Sequence, residues 1–156
     1  MSRAIEAAPI ALGIRPAELS DASALAGLMC ELGYETRVAE MEMRLDSILT
    51  DARYKTFVAV NEGKICGMIG TVCDHSHVHN NVSGRIIALV VSKTKRRRGV
   101  ARQLVAVAEN DFAERNITRI TLTTRFEREG AHKFYENLGY SRNGFRFIKN
   151  LPAAAD

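Results

Sequence analysis

The sequence predicts a mixed α/β fold with a mostly antiparallel central sheet and flanking helices. Apolar residues recur at helical spacing in some segments and form β-branched or alternating runs in others. The turn signal Asn61-Glu62-Gly63 separates two strand-like runs, which predicts an antiparallel hairpin. A strand-like run over 85–92 is followed by a long helical pattern and a further strand, enough chain for a right-handed crossover.

Taken in order, residues 12–16 read as a short first strand. Ser20 and Asp21 offer N-cap oxygens to a helix over 22–32, with Leu25, Leu28, Met29 and Leu32 on one face and Gly33 as its stop. Thr36 is placed to cap a second helix over 38–49, whose stripe is Met41, Leu45, Ile48 and Leu49. Residues 54–60 and 64–73 form the hairpin. The polar, histidine-rich stretch 74–83 reads as the end of that arm and a loop, before the fourth strand. A helix over 100–115 then turns Val100, Leu104, Val105, Ala108 and Phe112 inward. Residues 119–124 are strand-like, 130–138 form a short helix ended by Gly139, and 145–148 form a last strand. The tail 152–156 is expected to be disordered.

The 156 residues read as one domain, 1–156, with an ordered core over about 10–151. An apolar share of 46% and a charged share of 26% are ordinary for a globular protein. No apolar run approaches the roughly 20 residues that span a bilayer, and residues 1–12 do not read as a secretory signal, so no membrane partner is expected. Cys30, Cys66 and Cys73 are odd in number and lack a C-x-x-C spacing; they read as reduced, buried thiols of a cytoplasmic protein. None sits by a helix N-terminus or a cationic cluster, which argues against a catalytic thiol.

The net charge of +4 is concentrated in one place. Lys93, Lys95, Arg96, Arg97, Arg98 and Arg102 fall together with no acid among them; the other 16 basic residues face 18 acidic ones. One basic loop on a nearly neutral body suits a single polyanionic ligand. No aromatic residues interleave with the basic ones as stacking platforms, so no nucleic-acid partner is expected. The loop joins a strand to a helix. A helix's first amides lack internal partners, and its dipole places about half a positive charge there. Gly99 lets the backbone approach a ligand closely. A phosphate or pyrophosphate is the expected guest.

Arg96-Arg97-Arg98-Gly99-Val100-Ala101 resembles the R/Q-x-x-G-x-G/A loop of the GCN5-related N-acetyltransferases. About thirty residues on, the segment from Ala131 to Tyr140, AHKFYENLGY, resembles their A-x-x-F-Y-x-x-x-G-[FY] segment. The opening Ile14-Arg15-Pro16-Ala17, with Asp21-Ala22, is also similar to the start of this superfamily. The resemblance implies the acyl-CoA N-acyltransferase fold, in which strands four and five splay and acetyl-coenzyme A lies between them. It makes acetyl-CoA the co-substrate and a primary amine of a small molecule the acceptor. The cofactor residues it implies are Leu89, Val90, Val91, Arg96, Arg97, Arg98, Gly99, Val100, Ala101, Arg102, Arg128, Ala131, Phe134 and Tyr135. Strand residues Leu89 to Val91 would offer their edge to the peptide-like pantetheine arm.

Direct transfer to an amine needs a neutral amine, a polarised carbonyl and a leaving thiolate. An alkyl amine of pKa about 10.4 costs roughly 4.6 kcal/mol to deprotonate at pH 7. A backbone N–H near Val90 is positioned to polarise the carbonyl. Tyr135 matches the family's tyrosine and is the candidate acid for the sulfur; otherwise it is a half-buried helix residue that only touches the cofactor. Many relatives carry a glutamate on the fourth strand as base. That strand here offers Arg85 and Ala88 and no acid, which leaves Asp74, His75, His77, His79 or ordered water; His77 is the catalytic candidate. The three histidines alternate, so an extended chain would point them one way, to relay protons, bind an anion or hold a divalent metal. A solvated strand end is the plain alternative. Arg128 stands where many relatives have an asparagine, and it donates without accepting.

Tyr34, His75, His79 and Arg146 are the candidate substrate contacts; Glu31 and Glu35 either attract an ammonium group or are ordinary surface acids. The Gly67-Met68-Ile69-Gly70 strand with its histidine extension, and Phe145-Arg146-Phe147, are similar to aminoalkylphosphonate N-acetyltransferases. A protein or peptide N-acetyltransferase and a non-catalytic coenzyme A sensor are the rival readings. A homodimer is the default assembly for the superfamily.

Overall fold

A computed structural model of the chain describes residues 10–124 and 129–154. They divide into two compact units at Thr121 and Leu122.

The first unit carries a five-stranded sheet in chain order: β1 (Gly13–Pro16), β2 (Tyr54–Asn61), β3 (Lys64–Asp74), β4 (Ser83–Val91) and β5 (Ile120–Thr121). The first three junctions are antiparallel, and β4 and β5 run parallel. Helices α1 (Ala22–Leu32), α2 (Val38–Leu49) and α3 (Val100–Glu114) complete it. The predicted hairpin is present. Asn61 pairs with Lys64, and both Glu62 (φ 51°) and Gly63 (φ 76°) between them are left-handed, the backbone of a two-residue turn that matches strand twist.

Two layers cover the sheet. On one side Leu25, Ala26 and Leu28 of α1 and Met41 and Leu45 of α2 pack with Val58, Met68 and Val90. On the other, α3 buries Val100, Leu104, Val105, Ala108 and Phe112, each contributing roughly 1.5–3 kcal/mol for the large side chains. The helix lies so close to β3 that a Cβ on Gly67 would stand 3.1 Å from Val100 Cγ1 and 3.2 Å from Leu104 Cδ1.

The strands carry two irregularities. Cys66 is the extra residue on β3 between the pairs Ala59–Gly67 and Val60–Ile65. Ile87 is the extra residue on β4, since Gly70 faces Ala88 while the adjacent Thr71 faces Ile86. The second bulge changes the phase of β4. Gly84 and Ile86 align with Cys73 and Thr71 on the α3 side, whereas Ala88 and Val90 align with Gly70 and Met68 on the α1–α2 side.

Helix ends differ from expectation in detail. Gly33 ends α1 in the left-handed region at φ 107°. Asp21 occupies the N-cap of α1 but makes no cap bond there; its carboxylate takes two bonds from Arg15 (2.8 and 2.9 Å) and one from the Glu18 amide (2.8 Å). The α2 cap is Arg37 rather than Thr36, whose hydroxyl is taken up by the Tyr34 carbonyl and Arg44.

In the second unit, α4 (Glu129–Asn137) ends in a turn with Gly139 at φ 94° and the Tyr140 amide on the Tyr135 carbonyl at 3.0 Å. The predicted strand over 119–124 reduces to Ile120–Thr121. The predicted last strand over 145–148 does not form: Phe145, Phe147 and Ile148 are 78%, 92% and 76% exposed. Apolar alternation makes a strand only where a ladder and a buried face are supplied, and neither is supplied there among the described residues.

Candidate active site

β4 ends at Val91, and the Ser92 amide donates to the Cys66 carbonyl at 2.8 Å, which prolongs its hold on β3. A 3-10 turn over Lys93–Lys95 follows. Arg96 folds back and donates from Nε to the Val91 carbonyl at 3.2 Å. Arg97 is left-handed at φ 60°, and Gly99 at φ 83° is the N-cap of α3. Such a φ is cheap only for glycine.

The Gln103 amide bonds to the Gly99 carbonyl at 3.1 Å, so the amides of Val100, Ala101 and Arg102 lie before the first intrahelical bond of α3. Among the described residues, its chain neighbours aside, nothing lies within 4 Å of a Cβ built on Gly99, so the surface at the start of α3 is open beside that glycine. Arg98 Nε is buried and has no hydrogen-bond partner among the described residues. Open space, helix-start amides, a cluster of cations and an orphaned guanidinium N–H fit a phosphate group.

Leu89 and Val91 are half-buried and Val90 is 3% exposed. The β4–β5 ladder holds two pairs, Gly84–Ile120 and Arg85–Thr121, so the outer edge of β4 past Arg85 lies beyond it. That is the edge predicted to meet the pantetheine arm.

In the second unit, Ala131, Phe134 and Tyr135 are half-buried on α4. Tyr135 makes edge-on ring contacts with Phe134 (5.1 Å) and Tyr140 (5.8 Å). Arg146 is exposed. Arg128 lies outside the described residues.

Of the two readings of the histidine stretch, the solvated strand end is the one the fold matches. β3 stops at Asp74, and His75, His77 and His79 are exposed on a bent loop. Ser76 Oγ accepts the amides of Val78 (3.0 Å) and His79 (3.1 Å), which curls the chain and ends the alternation an extended strand would give. Asp74 pairs with Arg85 at 3.2 Å. No group of three or more metal-ligating side chains occurs among the described residues.

The thiols also divide. Cys66 and Cys73 are buried, but Cys30 is exposed on the outer face of α1, exchanging 3.5 Å contacts with the Thr36 backbone. Burial pushes the Cys66 thiol up, against an opposing pull from Lys95. Tyr34 is half-exposed just past α1. Glu31 is engaged: its Oε2 accepts the Lys93 amide at 3.1 Å, a contact across 62 residues that no local pattern announces.

This arrangement, a bulged β4 whose pairing with β5 ends at Arg85 among the described residues and which runs into a basic turn at the start of α3, is that of an acyltransferase-type sheet. The profile of the acetyltransferase (GNAT) family matches residues 23–140, and the chain belongs to that family. It is an N-acetyltransferase. The chain is 30% identical over 139 residues to an aminoalkylphosphonate N-acetyltransferase of Salmonella typhimurium strain LT2, covering 88% of this chain and 90% of that one. A crystal structure of a GNAT family acetyltransferase from Staphylococcus aureus superposes with a TM-score of 0.79 at 26% identity, over 91% of this chain and 100% of that one. Aminoglycoside N-acetyltransferase AAC(6')-Iy in complex with CoA shares the fold, with a TM-score of 0.80 at 18% identity, over 92% and 96% of the two chains. Among the described residues, no helix is long and apolar enough to cross a membrane.

Proposed function

We propose that the chain transfers an acetyl group from acetyl-coenzyme A to the primary amine of a small molecule by direct attack on the thioester. The observation that carries this is the open, glycine-led start of α3 beside the orphaned Arg98 Nε. Coenzyme A brings the acetyl group as an activated thioester and presents a pyrophosphate for those amides. Arg96, Arg97, Arg98 and Arg102 supply countercharge, and the Leu89 to Val91 edge holds the peptide-like arm.

Tyr135 takes the acid role that its match to the family motif gives it, donating its phenolic proton to the departing sulfur. His77 serves as base for the acceptor ammonium; exposed on its loop, it acts directly or through water. Ala131, Phe134 and Arg128 are the remaining cofactor candidates, and Tyr34, His75, His79 and Arg146 are the candidates for acceptor recognition. The relative that this chain matches over most of both lengths acts on aminoalkylphosphonates, and cationic Arg146 suits an acceptor that carries an anionic group next to its amine.

Thiol release from acetyl-coenzyme A tests this across a panel of aminoalkylphosphonates, aminoglycosides, amino acids and peptides. Turnover is expected on a small amine. Turnover confined to peptide N-termini would move the protein to the peptide-modifying class, and tight coenzyme A binding without turnover on any amine would make it a sensor.

A further inference from the structure

We propose that Glu31 is a positioning residue for the coenzyme A loop, acting through the Lys93 backbone amide; the inference rests on the acetyl-coenzyme A reading above. Glu31 lies in the last turn of α1, and its carboxylate holds the first residue of the 3-10 turn that leads into the basic loop. The same turn is held to β3 by the Ser92 amide on the Cys66 carbonyl and closed by the Lys95 amide on the Ser92 carbonyl at 2.9 Å. Glu31 adds a tie to the helical layer on the opposite side of the sheet from α3.

The segment it holds is costly to order. Arg97 adopts a left-handed backbone without being glycine, and five of the eight residues from 91 to 98 carry like charge. Like-charge repulsion favours opening of that loop, and each tie at its entry opposes it. The hydrogen bond from the Lys93 backbone amide to the Glu31 side chain does so, and it presents the α3 amides in one arrangement before a phosphate arrives.

Electrostatics alone predicts the opposite sign. A carboxylate close to a polyanion's site repels it, so removing the charge should tighten binding. Positioning predicts that Glu31→Ala weakens binding, while Glu31→Gln keeps it, because the amide carbonyl still accepts from Lys93.

The test is calorimetric titration of coenzyme A into the wild-type chain, Glu31→Ala and Glu31→Gln, with thermal melts of each. The expected result is a Kd raised roughly fivefold in Glu31→Ala and unaltered in Glu31→Gln, with all three folded. Tighter or equal binding in Glu31→Ala overturns the proposal. Equal weakening in both variants means the effect does not follow the Lys93 hydrogen bond that Glu31→Gln retains, and it overturns the proposal too. If the wild-type chain itself binds no coenzyme A, the acetyl-coenzyme A reading falls and the proposal with it; if only the Glu31→Ala contrast is missing, that reading stands.

Discussion

Gly84 lies against the ring of Phe112 so closely that a Cβ at position 84 would come within 2.6 Å of Cε1 and 2.8 Å of Cζ. Phe112 is fully buried, and the Gly84 amide also donates to the Arg119 carbonyl at 2.9 Å. The contact thus sets how near α3 approaches β4 where β5 begins. Gly84→Ala should destabilise the protein by about 1–3 kcal/mol through overpacking, read as a lower midpoint in urea with an unchanged slope. A wild-type midpoint would mean that the ring has room to move.

Asp21 predicts an acid limit to stability. The hydrogen-bonded Arg15 guanidinium holds the Asp21 carboxyl below the usual carboxylate range, despite the opposing effect of burial. A lowered folded pKa gives stability that is complete above the unfolded value of about 3.9 and is lost as pH falls through the lower, folded one. Asp21→Asn should cost about 2 kcal/mol near neutral pH, and the gap to wild type should close below about pH 3.9. Unfolding curves at pH 7, 5 and 3 check this.

Gly99→Val should weaken coenzyme A binding at least tenfold. The side chain would enter open space but impose strain at φ 83° and stand before the helix-start amides. Gly99→Ala carries the backbone strain with a smaller obstruction, so its affinity should fall between the two. Unchanged affinity for both, measured by calorimetry, would place the phosphates elsewhere.

Tyr135→Phe keeps the ring that meets Phe134 and Tyr140 and removes the phenol. If Tyr135 protonates the sulfur, kcat should fall about 100-fold with the KM for acetyl-coenzyme A little changed. A rise in KM alone would make it a packing contact.

The parts legible in the sequence are those set by neighbours along the chain. Both bounds of α1 and α2, the Glu62-Gly63 turn and the glycine that opens α3 follow from spacing and backbone freedom. The basic loop was visible as composition. What stayed hidden depends on pairs far apart. Ile87 looks like any strand residue until β3 is laid beside it, and Glu31 gives no sign that it will meet Lys93. The histidines alternate as an extended strand would, but they lie on the loop that the same stretch also predicted, because Ser76 supplies a competing local bond. Phe145 and Phe147 misled, since strand pattern says nothing about whether a partner arrives.

The extra residue in β4 has an unusual property. Remove Ile87 and the numbering closes up into strict alternation: every remaining β4 side chain keeps its partner on β3 and its layer. A chain one residue shorter should therefore fold to the same sheet without the extra residue. Ile87 is partly exposed, so any loss of turnover in such a deletion would belong to the local backbone of β4 rather than to a disturbed interior.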